Sequence, residues 1–259
     1  MLVTLFFFCL GSLIATSHLD WWFNLPHLAP ISIVESFGVI PALILSFVIF
    51  AVIAAASVFF EKKRHGRLEV EPQSQYHGWK RFLKGPWPLI WGGLILTLLN
   101  FATLVLAGRP WGVTSALAVW AAKVAVFAGV DVSAWDYWQQ SGNAKALANS
   151  LWHDITSMMN FGIMLGALLA ASLAGKFAPN FNIPRRSLVA AVIGGLLLGY
   201  GARLAYGCNI GAYFSGIASG SVHGWLWLVF AFMGNAIGVK LRPIFVPHEK
   251  PQHQTLHGW

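Results

Sequence analysis

Residues 199–221 read GYGARLAYGCNIGAYFSGIASGS, and this stretch decides how the chain is read. Gly201, Gly207, Gly211, Gly216 and Gly220 recur through it at four- to six-residue spacing, together with Arg203, Cys208 and Asn209. In water so glycine-rich a run would be a loop. Between two apolar segments it predicts a discontinuous helix: one helix ends near Tyr206, residues 207–211 are unwound, and a short helix follows over 212–219. Broken helices at membrane depth bind transported solutes, because free N–H groups at a helix start favour anions. The other reading is close helix packing through small residues. That packing reading is given to Gly162 with Gly166, Gly195 with Gly199, and Gly234 with Gly238. At 207–211 the functional reading is preferred, since Cys208 and Asn209 bring polar groups into the break.

The rest of the chain agrees with a membrane setting. Of 259 residues, 57% are hydrophobic and only 10% charged, against about 25% charged in a soluble domain. The balance of 17 Lys and Arg against 9 Asp and Glu gives +8. The basic residues sit between long apolar runs, so the excess marks a membrane face and not a nucleic-acid partner. A soluble enzyme, a DNA-binding module and a disordered tail are excluded. Cys9 and Cys208 are too far apart in sequence to suggest a disulfide framework or a cysteine-rich metal site.

A spanning helix needs roughly 20 mainly apolar residues. Six segments qualify: 2–17 (short), 38–60, 87–107, 151–175, 187–206 and 222–240. Residues 2–15 have the length of a signal-peptide core but lack a charged leader, so they are expected to be a retained span. Short loops rich in Lys and Arg face the cytoplasm. The loop after Phe60 carries Lys62, Lys63, Arg64, Arg67, Lys80, Arg81 and Lys84, and the loop 176–186 carries Lys176, Arg185 and Arg186. Loop 18–37 holds Asp20 and Glu35 without Lys or Arg, and is placed outside. A further apolar stretch, 111–129, would push loop 176–186 outside if it crossed fully. It is therefore expected to be re-entrant or half-inserted, with 130–150 outside and both termini cytoplasmic. The predicted fold is an all-α integral membrane protein of about six transmembrane helices plus two short re-entrant or broken helices.

The re-entrant stretch opens on a second break, GRPWGVTS at 108–115. Pro110 suits a first helical turn, Thr114 and Ser115 add hydroxyls, and the helix thus begins at a Gly-rich turn. Two helix starts converging at mid-membrane would form a small constriction suited to an anion. Arg203 has two readings, a functional intramembrane cation or a side chain snorkelling to the interface. Lys123 is a weaker candidate of the same kind, and Asp154 reads as a helix cap. The histidines lie in loops, the tail or span ends, and none is placed for haem or a metal. Many of the 13 Trp fall near span ends, as an interfacial belt should. No P-loop is present, so ATP is not expected to bind.

The pattern Gly-Ala-Arg-Leu-Ala-x-Gly-Cys-x-x-Gly, with Gly216, Gly220 and Ser221 beyond it, resembles the YeeE/YedE sulfur-transport family of bacterial inner-membrane proteins. The turn Pro110-Trp111-Gly112-Val113-Thr114 resembles that family's second-half entry motif. The resemblance implies two inverted halves whose short helices meet at a constriction, where cysteines hand thiosulfate along through its sulfur. It makes Cys208 a path cysteine, has Gly207, Asn209 and Gly211 shape the constriction, and sets Arg203 on the helix leading in. Tyr206 stands where Gly is common in the family, a departure that narrows the site or changes its substrate. Residues 2–20 resemble the last helix of the first half. The chain would then hold about two thirds of a full-length member, with Cys9 an ordinary helix residue. A misassigned start, a broken gene or a partner chain supplying the missing half would each account for this.

The resemblance divides the chain into the end of a first repeat (1–60), a basic cytoplasmic loop (61–86), a second repeat with the Gly-Cys motif (87–242) and a cytoplasmic tail (243–259). The implied function is passage of a small sulfur-containing anion, thiosulfate first. Its path residues would be Cys208, Gly207, Asn209, Gly211, Arg203, Pro110, Gly112 and Thr114. No catalytic residue, metal or cofactor is expected, and the partners are the anion, the lipid bilayer and a segment or chain completing the first half. The competing expectations are a sulfur-relay or redox protein that uses Cys208 covalently, and a non-transporting fragment or assembly partner.

Overall fold

The computed structural model describes residues 1–68, 78–85, 87–179 and 183–245. Among them, six helices are long and apolar enough to cross a membrane, and none of the described residues forms a β-strand. They are α1 (Leu2–Phe23), α2 (Val39–His65), α3 (Leu89–Ala107), α5 (Ile155–Leu173), α6 (Arg185–Leu204) and α8 (Val222–Phe245); a shorter apolar helix, α4 (Thr114–Phe127), precedes α5. At 1.5 Å per residue the 19 residues of α3 reach about 28 Å, near the hydrocarbon thickness. The 14 residues of α4 reach only about 21 Å, the length of a half-inserted helix.

The burial pattern is that of a protein solvated by lipid. Fully or nearly buried side chains include Ser12, Thr16, Thr156, Ser157 and Asn160, while Phe127 and Leu106 stand almost wholly exposed. Lipid gives large apolar side chains no reason to hide. Helices in it associate through small residues and interhelical hydrogen bonds. The face of α1 carrying Gly11, Ser12, Ala15, Thr16 and Leu19 is buried, whereas α3 buries nothing and α2 only Ala42.

The central packing is α1 against α6. A Cβ on Gly195 would stand 2.7 Å from the Thr4 carbonyl oxygen, and one on Gly11 or Gly199 would overlap the carbonyl oxygens of Leu196 and Phe8. The two backbones therefore touch, and Gly195 and Gly199 are packing glycines as expected. Gly162, Gly166, Gly234 and Gly238 are not: among the described residues, a Cβ on any of them meets nothing within 4 Å. The contrast predicts that Gly199→Ala costs about 1–3 kcal/mol by forcing α1 and α6 apart. Gly162→Ala should be neutral or gain up to about 1 kcal/mol from helix propensity. Thermal unfolding of the two variants in detergent checks this, and equal midpoints would contradict it.

Several boundaries differ from the sequence reading. α1 runs on through His18, Asp20 and Trp22 to Phe23, so it is a full-length span. α8 continues through Pro243 to Phe245, so the tail begins later than residue 243; residues 246–259 lie outside the described residues, as do 69–77 and 86 of the basic loop. Asp154 caps α5 as expected, accepting hydrogen bonds from the Ser157 backbone N–H (2.9 Å) and hydroxyl (2.6 Å). Lys123 is a clamp: its Nζ donates to the carbonyls of Leu147 and Asn149, each at 2.6 Å. It thus ties residues 130–150 onto α4, where Val132 and Trp138 also pack against Ala118, Val119 and Ala122.

Candidate functional site

Both breaks expected from the sequence are present, and they meet. α3 stops where Gly108 takes a left-handed φ of 65°. The turn that follows is anchored on both sides. The Trp111 N–H donates to Asn100 Oδ1 on α3 (3.1 Å), and Asn160 on α5 donates to the Val113 carbonyl (2.9 Å). α4 then starts at Thr114 with its first-turn N–H groups free of intrahelical acceptors.

The second break lies at residues 205–208, earlier and shorter than the 207–211 predicted. α6 closes through hydrogen bonds from the Ala205 N–H to Gly201 O and from the Gly207 N–H to Ala202 O, both 2.9 Å. Tyr206 adopts φ 55° and Gly207 φ 149°. A Cβ at Gly207 would stand 2.9 Å from the Ala212 nitrogen, so glycine is needed there for space as well as backbone angle. Helix resumes at once as α7, a π-turn over Asn209–Phe214 followed by α-helix over Ser215–Ala218. The Cys208 carbonyl accepts from the N–H groups of Ala212 (2.8 Å) and Tyr213 (3.3 Å), which draws Asn209–Gly211 into the first turn. The far end of α7 is pinned to the 24–38 connection by the Ile33 N–H on Gly220 O (2.8 Å) and the Val222 N–H on Ile31 O (3.1 Å).

Arg203 joins the two breaks. From the last turn of α6 its Nη1 donates to the Tyr137 hydroxyl (2.8 Å) and its Nη2 to Thr114 Oγ1 (3.0 Å), at the start of α4. The guanidinium is therefore turned inward, which removes the snorkelling reading. Around it lies a cavity of about 350 Å³. Its lining includes Pro110, Gly112, Thr114, Arg203, Gly207, Cys208 and Gly211. Of its lining, Leu19, Thr114 and Gly207 are buried, whereas Phe23, Arg109, Gln140 and Tyr206 are exposed. The lining holds two arginines and no carboxylate.

Asn209 is the one predicted path residue absent from this lining. It faces a separate groove of about 990 Å³ with His223, Trp227 and Asn235. Because helix begins at Asn209, its side chain turns away while Gly211 returns toward the cavity. Sequence reasoning missed Tyr137 and Gln140, which come from the segment after α4, and Arg109 and Phe23. Arg109 had a signal, a cation inside the Gly-Pro break. Tyr137 had none, since it sits among tryptophans that read as an interfacial belt. Among the described residues no group of three His, Cys, Asp or Glu could hold a metal ion.

Six long apolar helices, an interior of small and hydroxyl side chains, and two helix breaks facing one cavity define a multi-pass membrane protein. The chain belongs to the sulphur transport family, whose model matches residues 1–237. It is similar to the probable transporter YedE of Escherichia coli strain K12, at 31% identity over 171 residues (65% of this chain and 41% of that protein). YedE of Salmonella typhimurium is 32% identical over 162 residues, or 62% of this chain and 39% of that protein. The thiosulfate transporter TsuA of Spirochaeta thermophila is 41% identical over 76 residues, covering 29% of this chain and 22% of that protein. The matched part of the chain thus spans about two fifths of the length of the YedE relatives. These relatives are named as transporters, in keeping with the non-enzymatic sequence reading. No solved structure matches the chain significantly.

Proposed function

We propose that the chain moves a small sulfur-containing anion, thiosulfate first, across the bacterial inner membrane through the cavity between the two breaks. The observation that carries this reading is the lining: two guanidiniums, one thiol and two helix starts, with no carboxylate. A cation buried among apolar helices is costly unless paired. Among the described residues the partners of Arg203 are the neutral hydroxyls of Tyr137 and Thr114, so its charge stays available to an anion. The helix starts at Thr114 and Asn209 add partial positive charge. Cys208 stands at the break between them. Its S–H is a weak, soft donor, matched to the terminal sulfur of thiosulfate and weak enough for release. The oxygens of the anion suit the guanidinium, which donates strongly to oxyanions. The basic residues at the end of α2 and the start of α6 support a reading with both termini on the cytoplasmic side.

The test is uptake of radiolabelled thiosulfate by cells that lack their own thiosulfate uptake and express this chain. Accumulation above an empty-vector control, suppressed by unlabelled thiosulfate but not by equal sulfate, is the expected result. No accumulation would overturn the proposal. Label from the outer sulfur retained on the protein as a Cys208 persulfide, with sulfite released as the S–S bond of thiosulfate breaks and no accumulation in the cell, would replace transport by a covalent relay.

A further inference from the structure

Among the described residues, Tyr206 is the one non-glycine residue with a positive φ, at 55°. It closes α6, and this position of a helix end favours glycine because a side chain there crowds the following carbonyl. A bulky residue held in such a conformation is a reason to ask what its side chain does. The Tyr206 ring stacks on Phe23 at the end of α1, with centroids 5.9 Å apart and planes 19° from parallel. On another side it meets the His223 ring edge-on, at 6.1 Å and 87°. His223 is itself fixed, its Nε2 lying 2.9 Å from the Ala205 carbonyl. Phe23 and Tyr206 both line the cavity, and both are exposed. The aromatic pair therefore joins the end of α1 to the rim of the break that carries Cys208.

We propose that Tyr206, stacked on Phe23, is a specificity-determining lid at the cavity mouth. It lets small anions reach Cys208 and holds back wider ones until the stack parts. The inference rests on the reading of this cavity as an anion path. The backbone on either side of Tyr206 is held by the Ala205 and Gly207 N–H groups on Gly201 O and Ala202 O, both 2.9 Å, so the lid opens through its ring. A small anion passes beside the ring, whereas a wide one must break the stack. Parting one aromatic pair slows entry by up to about tenfold.

The experiment reads Cys208 and not transport, so it can fail independently of the transport proposal. In a full chain carrying Cys9→Ser, Cys208 is the sole thiol. Its reaction rate is measured with a small anionic reagent, 2-sulfonatoethyl methanethiosulfonate, and with a wide one, a stilbene disulfonate maleimide. Tyr206→Gly should raise the wide reagent's rate about tenfold and change the small reagent's less than about twofold. Phe23→Ala, which leaves the α6 terminus intact, should reproduce this, and Tyr206→Phe should leave both rates as they were. Equal wide-reagent rates in the parent and Tyr206→Gly chains, or no effect of Phe23→Ala, would overturn the lid.

Discussion

Arg203→Ala is expected to reduce thiosulfate uptake about a hundredfold, the equivalent of roughly 2–3 kcal/mol of lost stabilisation of the anion in the cavity. Two effects add. The anion loses the inward-turned guanidinium that lines the cavity. The α4 terminus also loses its tie to α6, because Nη2 holds Thr114 and Nη1 holds Tyr137. Arg203→Lys keeps the charge but cannot serve both hydroxyls, since an ammonium lacks the planar fork that spans them. It should recover only part of the uptake. Tyr137→Phe separates the two effects by removing one hydrogen bond while leaving the charge. It should cost about 1 kcal/mol of stability and less than a tenfold loss in uptake. Uptake and thermal midpoints of the three variants check the order. Full activity of Arg203→Ala would exclude the guanidinium from the path.

Cys208→Ala should lower uptake at least about tenfold, because a desolvated sulfur anion then meets a methyl group where a donor stood, and an unmade hydrogen bond costs about 1–3 kcal/mol. The fold should hold. Cys208 is not part of the buried core cluster among the described residues, and its backbone carbonyl, which accepts the first hydrogen bonds of α7, is retained by alanine. Cys208→Ser adds a harder donor at the same place and should recover oxygen-side binding better than sulfur-side passage. Cys9→Ser, in contrast, should leave uptake unchanged, since Cys9 lies on α1 outside the cavity lining. Transport assays of the variants at matched expression provide the check. Equal uptake by Cys208→Ala and the parent would remove the thiol from the mechanism.

The six spans were legible because length and apolar composition suffice to mark a helix that crosses lipid. The half-length of α4 followed from charge alone, since a full crossing there would have put Lys176, Arg185 and Arg186 on the wrong side. Both breaks were marked by glycine beside polar groups. Their detail was not legible. Tyr206 takes a conformation that pattern reasoning assigns to glycine, which completes the turn early and lets helix resume at Asn209. That rotation carries Asn209 away from the cavity. Equal spacing of small residues also hid opposite fates: Gly195 and Gly199 touch α1, whereas a Cβ on Gly162 or Gly166 meets nothing within 4 Å among the described residues. Which small face finds a partner depends on how helices are arranged, and spacing along one helix carries no such information. Tyr137 reaches Arg203 across 66 positions of sequence, a contact that no local signal announces.

The central claim is that the cavity beside Cys208 receives the anion. The most direct measurement is the rate at which Cys208, in the Cys9→Ser chain, reacts with a small thiol reagent as thiosulfate is added. The account predicts that the rate falls along a saturating curve and that equal sulfate leaves it nearly unchanged. A rate independent of thiosulfate at every concentration would contradict it.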